Sequence, residues 1–154
     1  AQQGAEAKPM EMVRLIYVSR MTETCDMKAI QEILAVSRKK NAAEDITGIL
    51  VYDPTFFLQC LEGPKTAVNA LYRTIMRDER HTNVTILEYA NIQERRFGNW
   101  AMGFLSQSEI DKNTLAAYMK SGRFDPYVLR GEQALSFLIK IVAQEQERLA
   151  AQKK

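Results

Sequence analysis

Cysteine, histidine and tryptophan are scarce: the 154 residues hold two, one and one of them. Cys25 and Cys60 stand far apart with no CxxC spacing, so they supply neither a disulfide framework nor a redox motif, and no metal site is read. Cys60 lies in an apolar stretch and reads as a reduced core residue, which suits a reducing cytosol. No run of about 18 apolar residues occurs, which excludes a membrane-spanning helix. An excess of one charge sign is missing too: the net charge is +2, too small to argue for nucleic acid. The opening AQQGAEAKPME has no apolar run and so no signal-peptide core. It reads as a disordered or appended extension over residues 1–11, with Met10 or Met12 as a native start. Repeats and low-complexity tracts are absent. The length suits one domain, with a core that needs neither disulfide nor metal.

The remaining sequence has a regular rhythm. VRLIYVS (13–19) is β-branched and aromatic and predicts a strand. Asp26 predicts a helix cap, and Ile30, Ile33, Leu34, Ser37 and Asn41 then recur on one helical face. ITGILVY (46–52) predicts a second strand, Asp53-Pro54-Thr55 a turn, and FFLQCLE (56–62) a third strand returning as a hairpin. Gly63-Pro64 opens a second helix, with Pro64 at its first position and Val68, Leu71, Tyr72 and Ile75 on its apolar face. NVTILEYANI (83–92) predicts a fourth strand, and RRFGNWAMGF (95–104) a turn into a short fifth. Helices are predicted over 111–119 and 131–149, the latter with a Leu135, Leu138, Ile141 and Val142 stripe. The order βαββαβ plus one strand predicts an α+β, ferredoxin-like fold with two helices on one sheet face.

The stretch FFLQCLEG (56–63) raises a question. Phe57, Gln59 and Leu61 alternate onto one strand face, Phe56, Leu58 and Cys60 onto the other. Both faces are apolar, so both need cover, from the two early helices on one side and from the C-terminal helices or a partner chain on the other. Gln59 then sits inside a core, where an unpaired amide group costs about 1–3 kcal/mol. If Gln59 faces the early helices, the alternation gathers Tyr17, Ser37, Asn41, Trp100 and Met102 around it, and Ile33 and Ile75 flank the layer. So many polar groups call for a planar, hydrogen-bonding ligand.

The segments RLIYVS, N-x4-ITGIL, FFLQCLEG, DERH and NWAM, in this order and spacing, resemble a BLUF domain, a blue-light sensor that binds FAD. The resemblance covers residues 12–106, and the helical remainder, 107–154, is similar to the tail of short BLUF proteins. It implies that Tyr17 is the electron and proton donor to excited flavin, and that Gln59 bridges Tyr17 and the flavin N5/O4 edge. It implies that Asn41 fixes the ring through a carbonyl, and that Asp78, Arg80 and His81 contact the pyrimidine edge and ribityl-phosphate side. Trp100 and Met102 correspond to residues that exchange environment on illumination, and Ser19 and Ser37 to polar groups behind these contacts. Lys40 departs from the Asn or His of many relatives and is either a contact to the cofactor phosphates or a solvated cation. Ala101 stands where some relatives have Ser.

Taken singly, each residue has a plainer reading: Tyr17 as a half-buried strand tyrosine, His81 as a loop residue, Trp100 and Met102 as packing, Asn41 as a helix-end residue. Gln59 alone resists one. A ferredoxin-like hydrolase of the acylphosphatase type could use Arg20, but no Gly-rich anion loop follows the first strand. A flavin-free interaction module is the competing reading, and an unpartnered buried amide argues against it. A nucleic-acid binder would need basic and aromatic residues on an open sheet. The expectation is a cytoplasmic photosensor rather than an enzyme. Its output would be a change of oligomeric state or of contact with a downstream protein, since about fifty residues after the match cannot hold a cyclase.

Overall fold

The computed structural model describes residues 11–23 and 25–152. The extension expected over 1–11 therefore lies, Glu11 apart, outside the described residues. In chain order the elements are β1 (Met12–Met21), α1 (Met27–Ala43), β2 (Thr47–Tyr52), β3 (Phe56–Pro64), α2 (Lys65–Met76), β4 (His81–Ile92), β5 (Gly103–Ser106), α3 (Lys112–Tyr118) and α4 (Gly131–Gln152). One sheet holds the strands in the order β4-β1-β3-β2-β5. β1 runs antiparallel to β3 and β4, β2 antiparallel to β3, and β5 parallel to β2. The ferredoxin-like core with a fifth strand is as the sequence predicts.

Local chemistry sets these elements. Asp26 caps α1 by accepting the Ala29 N–H at 2.8 Å, and Asp45, in the left-handed region at φ 61°, turns the chain from α1 into β2. Asp53 Oδ1 accepts the N–H groups of Thr55 and Phe56 and closes the β2–β3 hairpin. Pro64 corrects one expectation. It pairs opposite Met12 at the end of β3, with ψ 136°, so it precedes the first helical residue instead of being it.

β3 is central and buried on both faces. On one side Tyr17, Leu50, Phe57 and Leu61 pack with Ile30, Leu34 and Val68 of α1 and α2. On the other, Ile16, Val18, Leu58 and Cys60 pack with Phe137, Leu138 and Ile141 of α4. The C-terminal helices thus cover the second face. α4 begins hard against the β4 backbone: a Cβ on Gly131 would stand 2.5 Å from the Leu87 carbonyl oxygen.

The fifth strand is shorter than the sequence suggests and starts after Trp100 and Met102, at Gly103. Residues 97–102 cannot form a ladder because their backbone is held elsewhere. Fully buried Glu62 accepts the N–H groups of Arg96 and Phe97 at 2.8–3.1 Å while pairing with Arg14 Nε at 2.9 Å. The Trp100 carbonyl accepts the Gly48 N–H at 3.0 Å. Removing one partner of a buried pair strands the other, so Glu62→Ala should lose about 3–5 kcal/mol in urea unfolding. A loss below about 1 kcal/mol, the size of an exposed pair, would mean that Glu62 anchors nothing.

Candidate functional site

A cavity opens between α1, α2 and the sheet, and its walls are sorted by chemistry. Ile33, Leu50, Phe57, Leu71 and Ile75 supply apolar sides; Tyr17, Ser37, Asn41, Gln59, Asp78, Arg80 and His81 supply polar groups. The gap with its open mouth is about 500 Å³. α1 contributes Ile33, Ser37 and Asn41 because they recur at i, i+4 and i+8 on its inner face. β1 and β3 contribute Tyr17 and Gln59 because these two residues are direct partners across the ladder. Two irregularities of the β1–β4 pairing fall at Ile16/Tyr17 and Val18/Arg20, beside the site.

The Tyr17 hydroxyl donates to Gln59 Oε1. The Gln59 Nε2 group meets Met102 Sδ at 3.4 Å, and a thioether is only a weak acceptor. Asn41 Nδ2 donates to the Ala101 carbonyl at 3.1 Å. The Asp78 carboxylate receives Arg80 Nε at 2.9 Å and 3.1 Å and the Arg80 backbone N–H at 2.9 Å. Hydrogen bonds from the Arg80 side chain hold the Asp78 carboxyl below its usual range. His81 Nε2 lies 2.5 Å from the Ile75 carbonyl, which can only accept, so Nε2 carries the proton. Nδ1 shares a hydrogen bond with the Ser19 hydroxyl at 2.9 Å.

The structure brings together Tyr17, Ile33, Ser37, Asn41, Gln59, Ile75, Asp78, Arg80 and His81. Met102 joins them through Gln59. Two residues fall elsewhere. Lys40 is exposed on α1 and does not line the cavity. Trp100 corrects the expected layer: it packs with the core beneath α4 and lines a different cavity with Ile49, Phe104 and Val142. Strand alternation put Trp100 and Met102 on one face, but both precede β5, and the bends there turn them to opposite sides of the sheet. Leu50, Phe57 and Leu71 line the cavity as well; the sequence places Phe57 on the face of Gln59 and Leu71 on the apolar face of α2 without marking them as cavity walls. Glu62 and Arg38 were missed; only Glu62, a carboxylate ending an apolar strand, carried a visible sign.

Burial pushes the Tyr17 phenol far above its usual range, with Tyr72 and Asp78 adding to the effect. A phenol that holds its proton more tightly when folded contributes stability that is full below pH about 10 and is lost progressively as pH rises from there towards the higher folded value. Between pH about 9 and about 11, tyrosinate absorbance should rise equally in wild type and Tyr17→Phe. A surplus in wild type over that window would mean that Tyr17 ionises in place.

Comparisons with known proteins agree in kind. A family model described as BLUF, sensors of blue light using FAD, matches residues 12–103. The blue light- and temperature-regulated antirepressor of Escherichia coli K12 is 36% identical over 91 residues, 59% of this chain and 23% of its own length. Photoactivated adenylate cyclase subunit beta of Euglena gracilis is 37% identical over 92 residues, 59% of this chain and 11% of its own. The chain thus spans under a quarter of these two relatives. Among solved structures, the dark-state BLUF protein BlrB is 31% identical with TM-score 0.72, covering 88% of this chain and 98% of that one. Ground-state BlsA is 30% identical with TM-score 0.76, covering 84% and 87%. Among the described residues no helix is long and apolar enough to cross a membrane. With residues 12–103 matched by the family model and its fold shared with solved BLUF structures, the chain belongs to the BLUF family of flavin-dependent blue-light sensors.

Proposed function

We propose that this chain binds FAD between α1 and α2 and reports blue light through the Tyr17–Gln59 pair. The observation that carries this reading is the Gln59 amide, buried among apolar walls with one N–H directed at a thioether. A ring nitrogen or carbonyl is a far better acceptor for that N–H, so the residues present fit a flavin edge. Ile33 and Ile75, both half-buried, would grip the ring faces. Asn41 would fix a ring carbonyl, with Ser37 behind it. Asp78, Arg80 and His81 would face the pyrimidine edge and the ribityl-phosphate side. Lys40, exposed near the end of α1, stays available to phosphate only beyond the cavity.

Bound flavin supplies blue-light absorption and, once excited, an electron acceptor. Tyr17 is the nearest phenol to Gln59 and the residue placed to give up an electron. Its hydroxyl already points its proton at Gln59 Oε1, so proton loss after oxidation has a built path. Gln59 then presents a changed donor and acceptor face, by rotation or by tautomerisation. The change reaches Met102 through Sδ and the strap before β5. No substrate is consumed, so the described residues act as a sensor and not as an enzyme. Residues 12–106 form the light-sensing unit, and the extension over 107–154 forms the relay, its described helices packed against the sheet. That its relatives include an antirepressor and a cyclase subunit supports an output on a downstream protein; contacts within a homo-oligomer are the other route for the signal. Free Cys25 and Cys60 suit the cytoplasm.

The visible spectrum of the purified protein, taken before and seconds after blue light, tests the proposal. A flavin spectrum that moves red and relaxes in darkness is expected; a colourless protein that refuses added FAD favours the flavin-free module. Gln59→Leu should keep flavin and lose the red shift. A mutant that shifts as wild type does would remove Gln59 from the mechanism.

A further inference from the structure

The strap from Phe97 to Met102 is held by a row of three donors. The Gly48 N–H bonds the Trp100 carbonyl at 3.0 Å, Asn41 Nδ2 the Ala101 carbonyl at 3.1 Å, and Arg38 Nε the Met102 carbonyl at 3.0 Å. Asn41 and Arg38 are neighbours three apart on α1. Their guanidinium and amide therefore tie one helix of the flavin cavity to two successive peptide units. The Arg38 guanidinium also lies 4.8 Å from the centre of the Phe104 ring, within cation–π range. No acidic partner takes it among the ion pairs of the described residues.

We infer that Arg38 is a positioning residue for the photocycle: by holding the Met102 carbonyl it fixes Met102 Sδ against Gln59 Nε2. The inference rests on the flavin-sensor reading for its kinetic consequence, but not for the placement itself. Three features support it. The bond is charge-assisted. The residue that it grips is the one whose side chain touches Gln59. The helix that bears Arg38 also bears Ile33, Ser37 and Asn41, so a movement of the cavity wall and a movement of the strap share one rigid element. Phe104, just past Met102 on β5, gives the guanidinium a second attachment that keeps it over the strap. When light disturbs Gln59, Met102 is released from its weak contact, and the Arg38 bond guides the strap back. Its loss slows the return.

The test uses the full chain loaded with FAD, and the same chain without it, as wild type, Arg38→Ala and Arg38→Lys. Dark recovery of the red-shifted form should slow about 5-fold in Arg38→Ala, the rate equivalent of about 1 kcal/mol. The assigned Met102 methyl resonance should move in Arg38→Ala with and without flavin, and Arg38→Lys, which restores a cationic donor, should return both readouts towards wild type. Thermal unfolding of each variant separates this from general loss of structure. Recovery and methyl resonance unchanged in Arg38→Ala, or changed but not restored by Arg38→Lys, would overturn the assignment. If the wild type takes no flavin, the sensor reading falls, and the Met102 methyl in the flavin-free variants still decides whether Arg38 sets its position.

Discussion

The hydrogen bond from the Tyr17 hydroxyl to Gln59 Oε1 depends on a constraint that orders the whole molecule: β3 is buried on both faces. An amide in such a strand cannot turn to water. Its oxygen and its N–H groups must be met by side chains fixed in place by other elements, or the unfolded chain, where water meets them, gains about 1–3 kcal/mol per group. β1 meets the oxygen because Tyr17 stands opposite Gln59 in register. A one-residue slip would turn Tyr17 to the other face and place Ile16 or Val18 there. The register is in turn pinned at the far end of the same pair, where Arg14 of β1 stands opposite Glu62 of β3 and forms the buried ion pair. The polar pair that would sense light and the ionic pair that anchors the strap are thus two points of one ladder.

The sheet divides the protein into two chemically distinct sides. Towards α1 and α2 the core is interrupted by Tyr17, Asn41 and Gln59; towards α4 a large apolar cluster shares its sheet face with the buried Arg14–Glu62 pair. The strap preceding β5, at one edge of the sheet, belongs to both sides: Met102 packs on the polar side and Trp100 on the apolar side, two residues apart, while their carbonyls are held from β2 and α1. A small displacement of this strap changes packing on both sides at once, because packed cores shift between discrete arrangements and do not deform smoothly.

Much of this was legible in the sequence because the signals were local or periodic. The strands of β1, β2 and β3 declare themselves through β-branched and aromatic runs, the hairpin through Asp53 and Pro54, and α4 through its apolar stripe. Gln59 was legible as an anomaly, since alternation alone places it in a core. Tyr17 and Asn41 followed from alternation and helical spacing, and the Asp78–His81 segment from the family resemblance. The failures have a common cause. Alternation assumes a straight strand, and the segment from Phe97 to Met102 is bent by hydrogen bonds to Glu62, Gly48, Asn41 and Arg38 that lie 35 to 64 positions away in sequence. No window of residues contains them. For the same reason Trp100 was placed on the wrong side, and Arg38, polar on a mostly solvated stretch of helix, gave no sign that its guanidinium ends on a carbonyl.

Asn41 shows how economical the arrangement is. Its backbone carbonyl accepts the Ile46 N–H at 2.8 Å and the Glu44 N–H at 3.1 Å, which ends α1 and launches β2. Its side chain donates to Ala101 and lines the cavity. One residue therefore sets the helix terminus, a wall of the site and the position of the strap. A ligand that drew the Asn41 amide towards itself would load all three. Coupling of this kind needs no conformational change beyond the side chain, because the helix end, the β2 start and the strap are already joined through the same residue. The sensor's rigidity and its capacity to respond then have a single origin: polar groups placed inside a core, each with partners on more than one element, so that none can move without shifting its neighbours.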